Sequence, residues 1–235
     1  MDTSRLHKFL HTRIGILTAI VFITVVPFLF RFLIPGEAGD VAIFLTATVL
    51  LFTYAALRRT GLAEFGLQRP ESWKRTILLG ILYAVIAFVL FRITLEPLLE
   101  RWTGVPRDMS RFEFLRDNPG GLLKFLAIIW ITAAFFEELY FRGFLIPSIA
   151  GIFKNSRAGW IIAVVLSTLF FAMAHSYQAI SGVLYTGLAA LFLAVIFLAH
   201  GKNLWIVMIA HGLHDTSGAY FTYLGIYKKI VHWLF

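Results

Sequence analysis

The sequence predicts an all-α protein, a polytopic transmembrane helical bundle of about seven spans, on three observations. Of its 235 residues 59% are hydrophobic and only 14% are charged, and the mean hydropathy is +0.81. A soluble domain of this length could not cover so much apolar surface with so few charges. The apolar residues fall in runs of about 20, the length that crosses a bilayer core. Between the runs lie basic loops, so the formal charge of +8 reads as membrane orientation, and nucleic acid is not expected as a partner. The chain has no cysteine, which excludes a thiol nucleophile, a disulfide framework and a Cys-ligated metal.

The N-terminus, Met1 to Arg13, carries Arg5, Lys8 and Arg13 like a signal-peptide n-region. The run Ile14 to Ile34 is too long for a signal h-region and no small-residue cleavage site follows it. It is expected to be an uncleaved first span kinked at Pro27, with Pro35-Gly36-Glu37 as the turn after it. Val41 to Leu57 is the second span, stopped by Arg58-Arg59. Thr60 to Arg75 mixes Leu62, Phe65, Leu67 and Trp73 with Arg69, Lys74 and Arg75, as a segment lying at the membrane surface does. Thr76 to Leu95 is the third span, with Arg92 close enough to its end to snorkel.

Glu96 to Gly121 is the longest polar stretch, broken by Pro97, Pro106 and Asn118-Pro119-Gly120-Gly121, with a short surface helix expected around Arg111 to Arg116. Leu122 to about Ala150 is the fourth span, bent near its end by Pro147. A basic loop, Gly151 to Arg157, leads to the fifth span at Gly159 to His175. The link Ser176 to Ser181 precedes the sixth, Gly182 to His200, and Gly201-Lys202-Asn203 turns the chain into the seventh, Leu204 to about Leu224. The tail, Gly225 to Phe235, is too short to span and is expected at the interface. The count becomes six to eight if the tail or the Glu96 loop hides a re-entrant piece. Residues 1–235 read as one integral membrane domain, and the placement of Lys and Arg favours a cytoplasmic N-terminus.

Charge inside the fourth span is the strongest functional signal. Intramembrane ionisable residues cost several kcal/mol on insertion scales and usually mark a working site. On an α-helix Glu138 and Arg142 stand at i and i+4, in the favourable order for an ion pair. Glu137 lies about 100° round the helix and is expected to point away from that pair, which would leave it for a proton, a metal or a water. Two more polar sets lie in later spans. Phe171 sits one turn below His175, and His211 and Asp215 are again at i and i+4, where the carboxylate can fix the imidazole tautomer. His214 faces roughly the same way as His211. His7, His11, His200 and His232 lie near helix ends or in the basic N-terminus and read as ordinary polar residues.

Glu137-Glu138-Leu-Tyr-Phe-Arg142, Phe171-Ala-Met-Ala-His175 and His211-Gly-Leu-His-Asp215 together resemble the motif set of the CPBP family, the CAAX-protease and bacteriocin-processing membrane proteins. The resemblance covers about Leu122 to Leu224, the expected catalytic core, with weaker likeness at Gly66-Leu67-Gln68-Arg69-Pro70. Each motif alone is weak, and the ordered set is specific. Eukaryotic CAAX-processing members have Asn at the last position; this chain has Asp215, which occurs in bacterial relatives, so the transfer of CAAX specificity is weakened, and a bacterial cytoplasmic membrane is the expected setting.

The resemblance implies an intramembrane endopeptidase. Glu137 and His175 would position and deprotonate a water, and His211 with Asp215 would stabilise the oxyanion or join a metal shell. Glu138, Arg142 and Phe171 would support the site. Glu137, His175 and His211 are also the expected ligands of a divalent metal, Zn²⁺ first, since three ligands would leave one position for water. Metal-dependent and metal-free glutamate mechanisms both remain open at this point. The substrate would be a peptide or membrane-protein segment, lipidated or not, reached among membrane lipids. No His-Glu-x-x-His or Gly-x-Ser-x-Gly is present. The alternatives are a transporter or proton relay, against which no paired Gly/Pro-broken halves are found, and an inactive membrane scaffold.

Overall fold

The computed structural model describes residues 3–34 and 37–233. It is all-α, with no strand among the described residues. The helices are α1 (Thr3–Leu10), α2 (Arg13–Leu33), α3 (Glu37–Leu57), α4 (Trp73–Thr103), α5 (Pro119–Ile152), α6 (Arg157–Ala174), α7 (Ala179–Ala199), α8 (Leu204–Tyr223) and α9 (Tyr227–Val231). The seven long ones, α2 to α8, fall on the seven apolar runs of the sequence in order. Four described helical stretches are long and apolar enough to cross a membrane by themselves: α4, α5, α6 and the stretch Ser176–Ala199 that contains α7. The bent pair Ser4–Leu10 and Arg13–Pro27, at 85°, would make a fifth if it is one span. The turn expected at Pro35-Gly36 lies outside the described residues.

Two compact units, interleaved in sequence, make up the fold. The first holds Met1–Arg69 and Leu139–Val164. In it α2 packs on α3 and on the end of α5, Thr24 and Tyr140 share a hydrogen bond of 2.6 Å, and Tyr54 meets the Phe144 ring edge-on at 5.5 Å. The bend between α1 and α2 is capped by Thr12, whose hydroxyl donates to the Phe9 carbonyl and accepts from the Gly15 N–H. Pro27 lies inside α2 and is buried. Leu62–Phe65 forms a 3₁₀ turn with Phe65 buried and Leu62 exposed, an amphipathic arrangement of the kind expected of a surface segment.

The second unit holds Pro70–Glu138 and Val165–Phe235. Here α8 is central, packing on α4, on α7 and on the middle of α5. Ser72 caps α4 by accepting from the Arg75 N–H, and Trp73 meets Trp205 at 5.2 Å beside the start of α8.

One boundary differs from expectation. The third span does not end at Leu95; α4 runs on to Thr103, and Gly104 at φ +69° stops it. Pro97 looks like a breaker in the sequence, but a π-helical stretch, Phe88–Leu95, precedes it. After that stretch α-geometry restarts, with Pro97 in its first turn, where a missing N–H costs little. Pro147 follows the same pattern, opening an α-turn at Ile146–Ile152 behind the π stretch Leu139–Leu145. The surface helix expected near Arg111 is present as a 3₁₀ segment, Ser110–Leu115.

Close approach of α4 to α8 depends on a missing side chain. A Cβ at Gly80 would fall 2.5 Å from Ile209 Cγ2, the small-residue contact that lets membrane helices pack tightly. Gly80→Ala is expected to lower stability by about 1–3 kcal/mol through overpacking, and adding Ile209→Ala should return part of it; thermal melts in detergent measure both.

Candidate active site

Glu137 and Glu138 sit where the helix is not α. Ile129–Glu137 and Leu139–Leu145 are both π-helical, flanking Glu138. A π turn bonds i to i+5, so side chains along these stretches follow a wider spacing than in an α-helix. Arg142 is buried and belongs to the first unit. Every other predicted site residue lies in the second. Gly212, where a Cβ would meet the Trp130 ring at 2.8 Å, allows α5 and α8 to lie close together.

His211 joins two of the three motifs. Its Nδ1 is 2.7 Å from Oε1 of Glu138, which is completely buried. Its Nε2 is 3.4 Å from Oδ2 of Asp215, one turn along α8 and 35% exposed. The imidazole thus lies between carboxylates from two helices. Satisfying both contacts takes two ring N–H groups, or one N–H and one carboxylic acid. Glu138 therefore meets His211 directly, a contact that sequence spacing does not reveal.

The third motif meets the same centre. His175 follows the last residue of α6, and its Nδ1 donates to the Phe171 carbonyl at 2.8 Å. That bond places the proton on Nδ1 and leaves the Nε2 lone pair to accept. Its ring stacks on Phe171 at 4.6 Å, and the Phe171 ring lies 6.3 Å from that of His211. Tyr177 is 5.9 Å from the His175 ring and is an electrostatic neighbour of Glu137, which is half-buried. Glu137, His175, His211 and Asp215 are thus drawn into one region of the second unit.

A second polar network adjoins this centre, and it departs from the sequence reading. Arg92 does not snorkel. It is 3% exposed, donating from Nη2 to His214 Nε2 at 3.3 Å and to the His214 carbonyl at 3.2 Å. The Tyr185 hydroxyl also lies 2.7 Å from His214 Nε2, so His214 belongs to this network. Glu96, expected in a polar loop, is 2% exposed and accepts from the Tyr227 hydroxyl with both oxygens, at 2.8 and 2.9 Å. Arg107 Nη1 approaches the same carboxylate at 3.5 Å. The tail is not merely interfacial either, since Tyr227 and Val231 of α9 are buried and His232 lies 3.3 Å from Glu100.

Burial opposes the Arg107 charge, but Tyr227 and Glu96 hold its guanidinium pKa above the ordinary value. Burial likewise pushes the Tyr227 hydroxyl up, so it remains a donor to Glu96. The missed signal was a second set of opposite charges, Arg92 and Glu96, at the end of an apolar run.

A divalent metal does not fit the donors as arranged. Among the described residues no three of His, Asp and Glu are placed to hold one ion, and both ring nitrogens of His211 already face carboxylates.

Residues 119–217 match the family model described as Rce1-like, type II CAAX prenyl endopeptidase. The match contains all three motifs, from Glu137 to Asp215. No curated protein and no solved structure matches the chain.

The buried Glu96 carboxylate makes Tyr227 a structural anchor. Tyr227→Phe removes both hydroxyl contacts and is expected to cost about 1–3 kcal/mol, read as a lower melting temperature in detergent.

Proposed function

We propose that the chain is a CPBP-family protein, on the strength of the Rce1-like match at residues 119–217, and that it is an intramembrane endopeptidase acting by activated water, with no step through a metal. The observation that carries this reading is the meeting of the three motifs. His211, held by Glu138 of α5 and Asp215 of α8, lies beside the Phe171–His175 stack. The bare Nε2 of His175 suits it to take a proton from water, and Glu137, half-buried in the same region, suits it to orient that water and share the proton.

In this mechanism the hydroxide adds to the carbonyl carbon of the scissile peptide. The tetrahedral adduct then expels the amine, which takes back the proton held by Glu137 and His175. Glu138 and Asp215 fix the His211 ring beside the reacting groups, and charges held in a low-dielectric setting act more strongly than in water. The substrate class is a membrane-associated or lipidated peptide, reached by an integral membrane protein with its N-terminus in the cytoplasm, among membrane lipids.

Glu137→Gln is expected to abolish turnover of a quenched-fluorescent farnesylated peptide while leaving the protein folded, since the amide keeps the shape but cannot accept a proton as a base. Glu138→Gln should chiefly lower stability, by about 3–5 kcal/mol where a buried pair is broken. A folded, inactive Glu138→Gln beside a fully active Glu137→Gln would reverse the two roles.

Prolonged dialysis against EDTA and 1,10-phenanthroline should leave the rate unchanged. A loss of activity restored by added Zn²⁺ would replace the metal-free mechanism with a metal-dependent one.

A further inference from the structure

The adduct formed when water adds to a peptide carbonyl carries an oxyanion, which needs a donor that is free to give. The family resemblance implies His211 for that task, yet its Nδ1 faces Glu138 at 2.7 Å and its Nε2 faces Asp215 at 3.4 Å. An imidazole with a carboxylate on each nitrogen has no N–H left over. Another cation stands beside the centre. Arg107, in the segment between α4 and the 3₁₀ turn Ser110–Leu115, donates from Nε to Gln178 Oε1 at 2.8 Å. The Gln178 N–H in turn donates to the His175 carbonyl at 3.0 Å. The guanidinium is therefore fastened to the turn that carries His175.

The rest of its surroundings fix its plane. The guanidinium carbon lies 4.0 Å over the Tyr185 ring, and Nη1 faces both Glu96 and the Tyr227 hydroxyl at 3.5 Å. Nη2 makes no hydrogen bond to any described residue. The side chain is 10% exposed, so the group is held without being sealed. His175 and Asp215 are both electrostatic neighbours of Arg107.

We propose that Arg107 binds the oxyanion of the tetrahedral adduct, a role that rests on the endopeptidase reading above. A donor fixed in advance beside the reacting carbonyl stabilises the charge that develops there and costs no reorganisation during the reaction. The networks then divide the work. Glu137 and His175 handle the proton, and Arg107, aligned by Gln178, Tyr185 and Glu96, meets the negative charge. Lysine cannot take its place fully, because a single ammonium cannot stack on Tyr185 and hold Gln178 while presenting a free donor.

The test uses the full-length protein in detergent, the same farnesylated peptide, and a phosphinate analogue of it that mimics the tetrahedral adduct. Arg107→Gln should lower kcat by about 10²–10³-fold, with KM changed by less than about threefold. Affinity for the phosphinate should fall by the same factor as kcat/KM. Millimolar guanidinium should restore part of the rate of Arg107→Gln and none of that of Glu137→Gln. The double variant Glu96→Gln with Arg107→Gln removes both buried charges together and should melt close to wild type while staying slow.

Recovery of the rate in that double variant would overturn the proposal and leave Arg107 a structural role. So would a rise in KM confined to peptides with a free C-terminal carboxylate, with kcat intact, which would assign Arg107 to substrate binding. A wild-type protein that cleaves while Arg107→Gln keeps its kcat within threefold defeats this proposal alone. A wild-type protein that fails to cleave any of the peptides defeats the endopeptidase reading, and this inference with it.

Discussion

The imidazole of His211 lies between two carboxylates, and much of the second unit is arranged to keep it there. Glu138 is fully buried, so its 2.7 Å contact with His211 is screened far less than a surface pair would be. The same burial would make either group costly if left alone. Each element nearby serves that pair. The π stretch Ile129–Glu137 leads into Glu138, Gly212 lets Trp130 lie against α8, and Asp215 meets the second ring nitrogen from one helical turn away.

His214, one turn from His211 on α8, is the node of a second network, gathering Arg92 and Tyr185. Around it Glu96, Arg107 and Tyr227 bring buried charge from α4, the following segment and α9. A single helix therefore organises two polar systems, one around each histidine. Their proximity is economical in an apolar protein, where every buried charge needs a partner and partners are few.

The sequence made the helices legible because apolar runs of bilayer length are a strong signal, and it made Glu137, His175, His211 and Asp215 legible because charge in such runs is rare. What it hid had physical causes. The contact between His211 and Glu138 joins residues 73 apart and depends on how α5 meets α8, which no local spacing records. Arg92 read as snorkelling and Glu96 as loop because Pro97 seemed to end the helix. Only the π stretch before it shows why the helix continues. Tyr227 looked like one more aromatic in an apolar tail, and its value lies in a hydroxyl directed at a carboxylate 131 positions earlier.

Interleaving of the two units has a consequence for biosynthesis. The last segment of the first unit ends at Val164, whereas the second draws on Val165–Phe235 and is closed by α9. A ribosome that has delivered α2, α3 and the first half of α6 has supplied every residue of the first unit, while α4 and the glutamate-bearing part of α5 still wait in the bilayer for α8. Until α8 arrives Glu138 has no imidazole to hold, and until α9 follows Glu96 has no phenol. The nascent chain thus carries its carboxylates through insertion without the groups that complete their site.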